Sequence, residues 1–336
     1  MKHLAGLLET VKAQATAVET LRRALATGRV HHAYLFDGPE GVGKERTAFG
    51  LAQALVCERR TEGQAEACGT CSACTRAVPR EPGSTPLHPD VVVLERGLYD
   101  PATLGRKSPE TQELSIDQVR TLVLTRSAFG PHEGRAKVFI VRRAEEMSIA
   151  ASNALLKTLE EPGARTHFVL LSATPDALLP TIRSRTQRVR FGALPDAVVT
   201  ELLVGRGVEA GRAKEIAVLA GGSMATGATL ADPEASSRRE DFVSRAMAAL
   251  TAPTSGPALD LATDAKQADK IALAAYIEAF AAALAAEARS SASTADRRAD
   301  RAAARHALAL AAIQQLDANA SNQLAMESML LRMRSV

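Results

Sequence analysis

The chain has 336 residues, 46% of them hydrophobic, 24% charged and 3% aromatic, with no tryptophan and four cysteines. That apolar content excludes global disorder, and at roughly 100–200 residues per domain the length predicts two or three domains. A net charge of +3 excludes a polycationic nucleic-acid-coating protein but leaves room for a weak or partner-assisted contact with nucleic acid.

The N-terminal MKHLAGLLETVKAQ is interrupted by charge, so no secretory leader is expected. Over residues 10–27, Val11, Val18, Leu21 and Leu25 recur among Lys, Glu and Arg, which predicts an amphipathic helix ending near Gly28. AYLF (33–36) runs into GPEGVGK (38–44) and then ERTAFGLAQALV (45–56), a strand, glycine loop and helix in succession. A cysteine-bearing excursion (57–74) and a Pro-rich loop (79–89) lead to a second strand, DVVVLE (90–95). SIDQVRTLVL (115–124) reads as a helix with Ser115 as its N-cap. KVFIV (137–141) is a continuous apolar strand of the kind found in parallel sheets covered on both faces. SIAASNALLKTLEEPG (148–163) predicts a helix, THFVLLSA (166–173) a fourth strand, LLPTIRSRT (178–186) a short helical segment and QRVRF (187–191) a fifth strand. Strands alternating with helices predict an α/β parallel sheet with helices on both faces.

Composition changes after Phe191. Residues 193–230 hold short helical segments broken by Gly205, Gly207, Gly211, Gly221 and Gly222. From about 238 the chain is Ala-rich and helical, with breaks at TAPTSGP (251–257) and SSASTADRR (290–298). Its longest apolar stretch, Ile271–Ala286, contains Glu278 and falls short of the roughly 20 residues that span a bilayer. Leu273, Ile277, Phe280 and Leu284 fall on one helical face, so a buried helix is expected, with no membrane partner and a cytoplasmic location.

GPEGVGK fits G-x-x-x-x-G-K, in which Gly38, Gly41 and Gly43 let backbone N–H groups converge on phosphate and Lys44 neutralises its charge. The Ser or Thr that holds Mg²⁺ in such loops is replaced by Glu45, and Thr47 faces elsewhere on the helix. After KVFIV, where active phosphate-loop ATPases place an Asp and often a Glu, stand Arg142 and Arg143; Glu145 and Glu146 are assigned to the next helix. Mg²⁺ is therefore not expected, little or no intrinsic ATP hydrolysis is expected, and binding of ATP or ADP at Lys44 stays open. The signs of the changes point to an ion pair between Glu45 and Arg142 where a metal would have bridged them.

All four cysteines fall between 57 and 74, as Cys57, Cys68, Cys71 and Cys74. Four thiolates with no water position suit a structural Zn²⁺, which would staple an excursion too poor in apolar residues to fold alone; free thiols and an iron–sulfur cluster are the alternatives. His88 lies nearby, but as a loop histidine before proline it is expected to face solvent.

HHAYLFDGPEGVGK, the cysteine cluster, HPDVVVLE, SIDQVR, NALLKTLEEP and ATPDALLPTIRSR together resemble the bacterial clamp-loader AAA+ family. The resemblance spans nearly the whole chain, NALLKTLEEP and TIRSR are its most specific parts, and LDANASNQLAMESMLLRM is similar to the family's last helix. It implies an AAA+ nucleotide-binding-like domain over 1–192 with a zinc module at 57–74, a helical lid over 193–230 and a helical collar over 238–336. The collar would assemble the chain with gamma/tau and delta subunits into a five-membered ring that loads a sliding clamp on primed DNA. In the family a Ser-Arg-Cys segment carries an arginine finger that reaches the ATP of a neighbour. The matching residues are Ser184, Arg185 and Thr186. Ala225 stands where the lid's nucleotide-sensing Arg would be, and Thr174 matches a γ-phosphate-sensing position. The resemblance thus implies an ATPase-silent subunit acting in trans through Arg185. The alternative, an ATP-hydrolysing gamma/tau-like motor, is disfavoured because the chain has no Ser or Thr at 45 and no acid at 142 or 143. A stand-alone DNA-binding regulator is disfavoured by the near-balanced charge and few aromatics.

Overall fold

Five runs of four to seven residues form strands: β1 Ala33–Asp37, β2 Val91–Leu94, β3 Lys137–Val141, β4 Thr166–Ser172 and β5 Gln187–Arg190. The computed structural model describes every residue except 1–5, 82, 107–112, 134, 269, 292–296 and 318–319. The chain divides into two compact units, Met1–Ala228 and Thr229–Val336.

In the first unit the strands form one sheet in the order β2-β3-β4-β1-β5, and every neighbouring pair is parallel. β1 to β4 are buried almost throughout, as their unbroken apolar runs require. On one face Phe139 and Phe168 stack with ring centroids 5.1 Å apart. They pack with Leu35, Leu170, Leu155, Leu159 and Ile182 in one apolar cluster. β5 is an edge strand: Val189 points inward, while Gln187, Arg188 and Arg190 are exposed. After β1 the chain crosses to β2 at the far edge and returns through β3 and β4. The loop leaving β1 therefore sits at the carboxyl end of the sheet where strand order reverses, the place where open α/β sheets bind ligands.

Local chemistry sets the helices. The first amphipathic helix, α1, covers Ala15–Ala26 and buries Ala17, Val18, Leu21 and Leu25. Residues Leu7–Thr10 form a separate 3₁₀ turn whose Leu8 packs on Gly50 of α2 (Lys44–Val56); a Cβ at Gly50 would lie 2.8 Å from Leu8. The Ser115 hydroxyl accepts from Gln118 N at 3.4 Å, so the expected cap is present. The helix it opens is π-wound over Val119–Leu124, which its sequence did not announce. Ser148 caps Ile149–Glu160 by accepting from Ala151 N at 3.1 Å. This cap excludes Glu145 and Glu146 from that helix, contrary to expectation, and they sit in the 3₁₀ turn Ala144–Glu146. Beyond Phe191 come the short helices Asp196–Val204, Ala210–Leu219 and Met224–Ala231.

The second unit contains Pro233–Thr251, Gly256–Asp264, Lys270–Ser291, Arg298–Asp317 and Asn322–Arg334. Its helical run begins ahead of 238 because Pro233 opens the first turn and Asp232 accepts from Glu234 N at 3.0 Å. Leu273, Ile277, Phe280 and Leu284 are all buried in its core, beside Phe242, Leu316 and Met326. The break expected over 290–298 falls largely on residues 292–296, outside the described residues. Among the described residues no helix is long and apolar enough to cross a membrane.

Candidate functional site

The glycine loop leaves β1 at Gly38, where a Cβ would sit 2.2 Å from the Phe191 carbonyl oxygen. Gly41, at φ +72°, supports the next layer: a Cβ there would lie 2.4 Å from Ala225 N and 2.6 Å from Ser223 Oγ. The start of Met224–Ala231 therefore rests directly on the loop, and Met224 N donates to Gly41 O at 3.0 Å. Gly43, at φ +103°, is the N-cap of α2. Lys44 follows and is buried; its Nζ donates to Pro39 O at 2.7 Å and to Gly38 O. Burial pushes this amine below its ordinary range, and the carboxylates of Glu40, Glu145 and Asp37 oppose the shift. Glu40, Gly41, Gly43, Lys44 and Glu145 line a cavity of about 870 Å³ that also takes in Glu45, Arg142 and Ala225.

At the end of β3, Arg142 is only 6% exposed. Its Nη2 meets Glu45 Oε1 at 2.5 Å, the pair expected from the sequence, and its Nη1 meets Glu95 Oε2 at 2.8 Å. The same guanidinium donates to Gly83 O at 3.3 Å and Ser84 O at 3.4 Å, and lies 5.9 Å from the centre of the Phe49 ring. One cation thus ties the α2 N-terminus, the end of β2 and the 83–84 loop to β3. Glu95 is a partner the sequence did not reveal, since nothing local links positions 95 and 142. These residues do not fit Mg²⁺: the carboxylate offered at position 45 is engaged by a guanidinium, and Thr47 turns away to donate to Gly43 O at 2.9 Å. Arg143 takes a left-handed backbone (φ +45°) and stands 3.6 Å from both Glu40 and Glu146. Glu145 instead accepts from Ala173 N at 3.0 Å and lines the cavity, a placement hidden by its assignment to the following helix. Thr174 is exposed and makes no side-chain cap bond to the turn after it.

The cysteine excursion converges. The Sγ atoms of Cys57, Cys68, Cys71 and Cys74 all lie within 4.8 Å of one another, and none is in a disulfide. Backbone N–H groups point at the sulfurs: Cys68 N to Cys57 Sγ at 3.4 Å, Cys71 N to Cys68 Sγ at 3.3 Å and Cys74 N to Cys71 Sγ at 3.4 Å. Burial raises the Cys68 thiol, but hydrogen bonds from Thr70 and Cys71 outweigh it and bring it to about 6; burial drives Cys74 up. A soft, four-sulfur set supported by N–H donors fits a tetrahedral thiolate-bound metal and leaves no position for water. His88 lies outside this cluster and, contrary to expectation, does not face solvent. It is 3% exposed, its Nδ1 accepts from Asp90 N at 3.1 Å, and its Nε2 stands 3.1 Å from Glu133 Oε2. The cause is the Asp90 carboxylate, which accepts from His132 N and Glu133 N and folds that turn over the imidazole.

Arg185 follows the short helix Pro180–Arg183. Its Nη1 donates to Thr181 O at 2.9 Å and its Nη2 pairs with Glu160; Ser184 Oγ donates to Thr181 O at 3.1 Å. The guanidinium borders a groove of about 480 Å³ lined by His31, His32, Glu160, Ser184 and Thr186. Gln187, two residues on, pairs with Tyr34 near the start of β1, whereas the glycine loop leaves the other end of that strand. Arg185 and Lys44 therefore stand at opposite ends of the sheet, and the fold does not bring them to one site.

A family model described as DNA polymerase III, delta subunit, matches residues 13–195. Over 180 residues the chain is 39% identical to DNA polymerase III subunit gamma/tau of Mycobacterium tuberculosis, covering 54% of this chain and 28% of that protein. Over 202 residues it is 37% identical to the delta' subunit of Pseudomonas aeruginosa, covering 58% of this chain and 54% of the relative. These matches thus span about half or less of the relatives' length. A solved gamma subunit-related protein of Thermotoga maritima is 17% identical with a TM-score of 0.47, covering 94% of this chain and 98% of that one.

Proposed function

We infer that this chain, which belongs to the DNA polymerase III clamp-loader family whose delta-subunit model it matches over 13–195, works as a delta-prime-like subunit: an ATPase-silent stator that lends Arg185 to a neighbour. The observation that carries this reading is Arg142, whose guanidinium lies between Glu45 and Glu95 where a motor subunit would need acids and a hydroxyl for Mg²⁺. Ala225 on the loop favours the same reading, and the separation of Arg185 from Lys44 is compatible with a donor acting in trans. A guanidinium that does not face its own glycine loop can reach a γ-phosphate only on another protomer, a task for which its planar, permanently charged fork is suited. In this reading Cys57, Cys68, Cys71 and Cys74 hold a structural zinc, the helices after Thr229 assemble the chain with gamma/tau and delta subunits, and the complex places a sliding clamp on primed DNA.

The 39% identity to a gamma/tau subunit favours a second reading, an ATP-hydrolysing motor. One reconstitution separates the two. With gamma/tau, delta and clamp present, Arg185→Ala should cut DNA-stimulated ATP turnover at the site it serves by at least about tenfold with assembly intact, a floor well below the roughly 10³–10⁵ that an arginine finger supplies. The isolated chain should show no Mg²⁺- and Lys44-dependent hydrolysis; if it does, the motor reading replaces the stator.

A further inference from the structure

Arg185 is not extended toward solvent. Its Nη1 bonds back to Thr181 O on the preceding turn and its Nη2 is held by the Glu160 carboxylate. Glu160 is the last residue of Ile149–Glu160, whose final carbonyls repel an anion, and Lys157 already supplies the cation that such an end prefers. The helix itself gains nothing from a carboxylate there; its partner is Arg185. Both side chains are accessible, at 34% and 47% exposure, so this is not a buried structural pair. The groove beside them, bordered by His31, His32 and Ser184, leaves the guanidinium approachable from outside the chain.

We propose that Glu160 is a cis latch for Arg185, holding the guanidinium folded back on its own chain until a phosphate from a neighbouring subunit displaces the carboxylate. The proposal rests on the donor role inferred above and adds its regulation. An exposed pair holds weakly, and a polyphosphate carries more charge and more acceptor oxygens than one carboxylate, so the exchange is readily driven by a correctly seated neighbour. Glu160 is on this account a positioning residue, acting only through Arg185.

The test has two arms. In the isolated full-length chain, modification of Arg185 by phenylglyoxal is followed by peptide mass spectrometry in wild type and Glu160→Gln. The isosteric substitution removes an anion from a helix C-terminus, so the variant folds. Arg185 should react about two- to five-fold faster in the variant, and added salt should accelerate wild type but not the variant, since exposed pairs are screened. Equal rates, or salt responses that do not differ, overturn the latch. In the reconstituted complex, Glu160→Gln should raise the Arg185-dependent part of kcat/KM about two- to five-fold; no change or a fall overturns the latch. If Arg185→Ala leaves turnover untouched, the donor role itself fails, an outcome the modification arm distinguishes because it needs no partner.

Discussion

Arg142 shows how one substitution rewrites a site. A cation at the end of β3 engages two carboxylates and two loop carbonyls, and it is nearly buried while Glu45 and Glu95 remain partly exposed. Removing it strands both acids, so Arg142→Ala should cost about 2–4 kcal/mol in chemical denaturation, somewhat less than a fully buried pair because solvent reaches the acids. Glu45→Ala should cost under about 1 kcal/mol, since half of that side chain already faces water. Equal losses would mean that the packing of Glu45, not the cation, holds this corner. A second residue-scale effect concerns His32 and His167, both depressed below the ordinary histidine range by desolvation above all, with neighbouring imidazole charge adding to it and, at His167, a bond to His31 O opposing it. Below pH 6.5 the unfolded chain binds protons that the folded chain refuses, so stability is fully present above that pH and falls as pH drops toward the folded values. Urea midpoints should therefore be lower at pH 5.5 than at 7.5, and His167→Gln should reduce the difference.

At the level of elements, the cysteine module and the glycine loop make opposite demands. The segment from Cys57 to Cys74 has few apolar anchors; four sulfurs and the N–H groups aimed at them converge at its centre, while Arg22, Arg60 and Arg135 tether its outer turns. Chelation should release one zinc per chain and expose the thiols to titration, with loss of local order around Ser72–Arg76 while the sheet persists; metal-free protein whose thiols stay protected would refute a zinc staple. The glycine loop demands absence of side chain. Gly41→Val would drive a branched group into Ser223 and Ala225 and force a left-handed backbone, so faster amide exchange over 223–228 is expected from a lifted helix. Much of this was legible beforehand. The strands read out because parallel, doubly covered strands leave unbroken apolar runs, and the Glu45–Arg142 pair followed from charge signs at two metal positions. The partners at long sequence separation did not: Glu95 beside Arg142, Glu160 beside Arg185 and Glu133 beside His88 depend on which loops the sheet order brings together. Nor was the burial of His88 visible, because the Asp90 carboxylate that folds a turn over it acts through backbone N–H groups that carry no sequence signature.

For the whole molecule, the sheet separates two chemistries along one strand: the glycine loop at the carboxyl end of β1 and Arg185 near its start. Five residues of strand span about 16 Å, so in the donor reading proposed above the ATP that Arg185 serves belongs to another chain. The corresponding prediction is a mixing experiment: a partner complex lacking this chain should regain Arg185-dependent turnover when it is added, even if Lys44→Ala has disabled the loop. The edge strand carries a further consequence. β2 is closed off on its side of the sheet by buried packing, whereas β5 ends the other side with Arg188 and Arg190 facing outward and Arg188 tethered to Asp37. Two such strands from different molecules would bring four guanidinium groups into apposition, so the row of charge acts as a guard against intermolecular ribbon growth. A chain with Thr at both positions should keep its fold in dilute solution and yet turn cloudy on concentration.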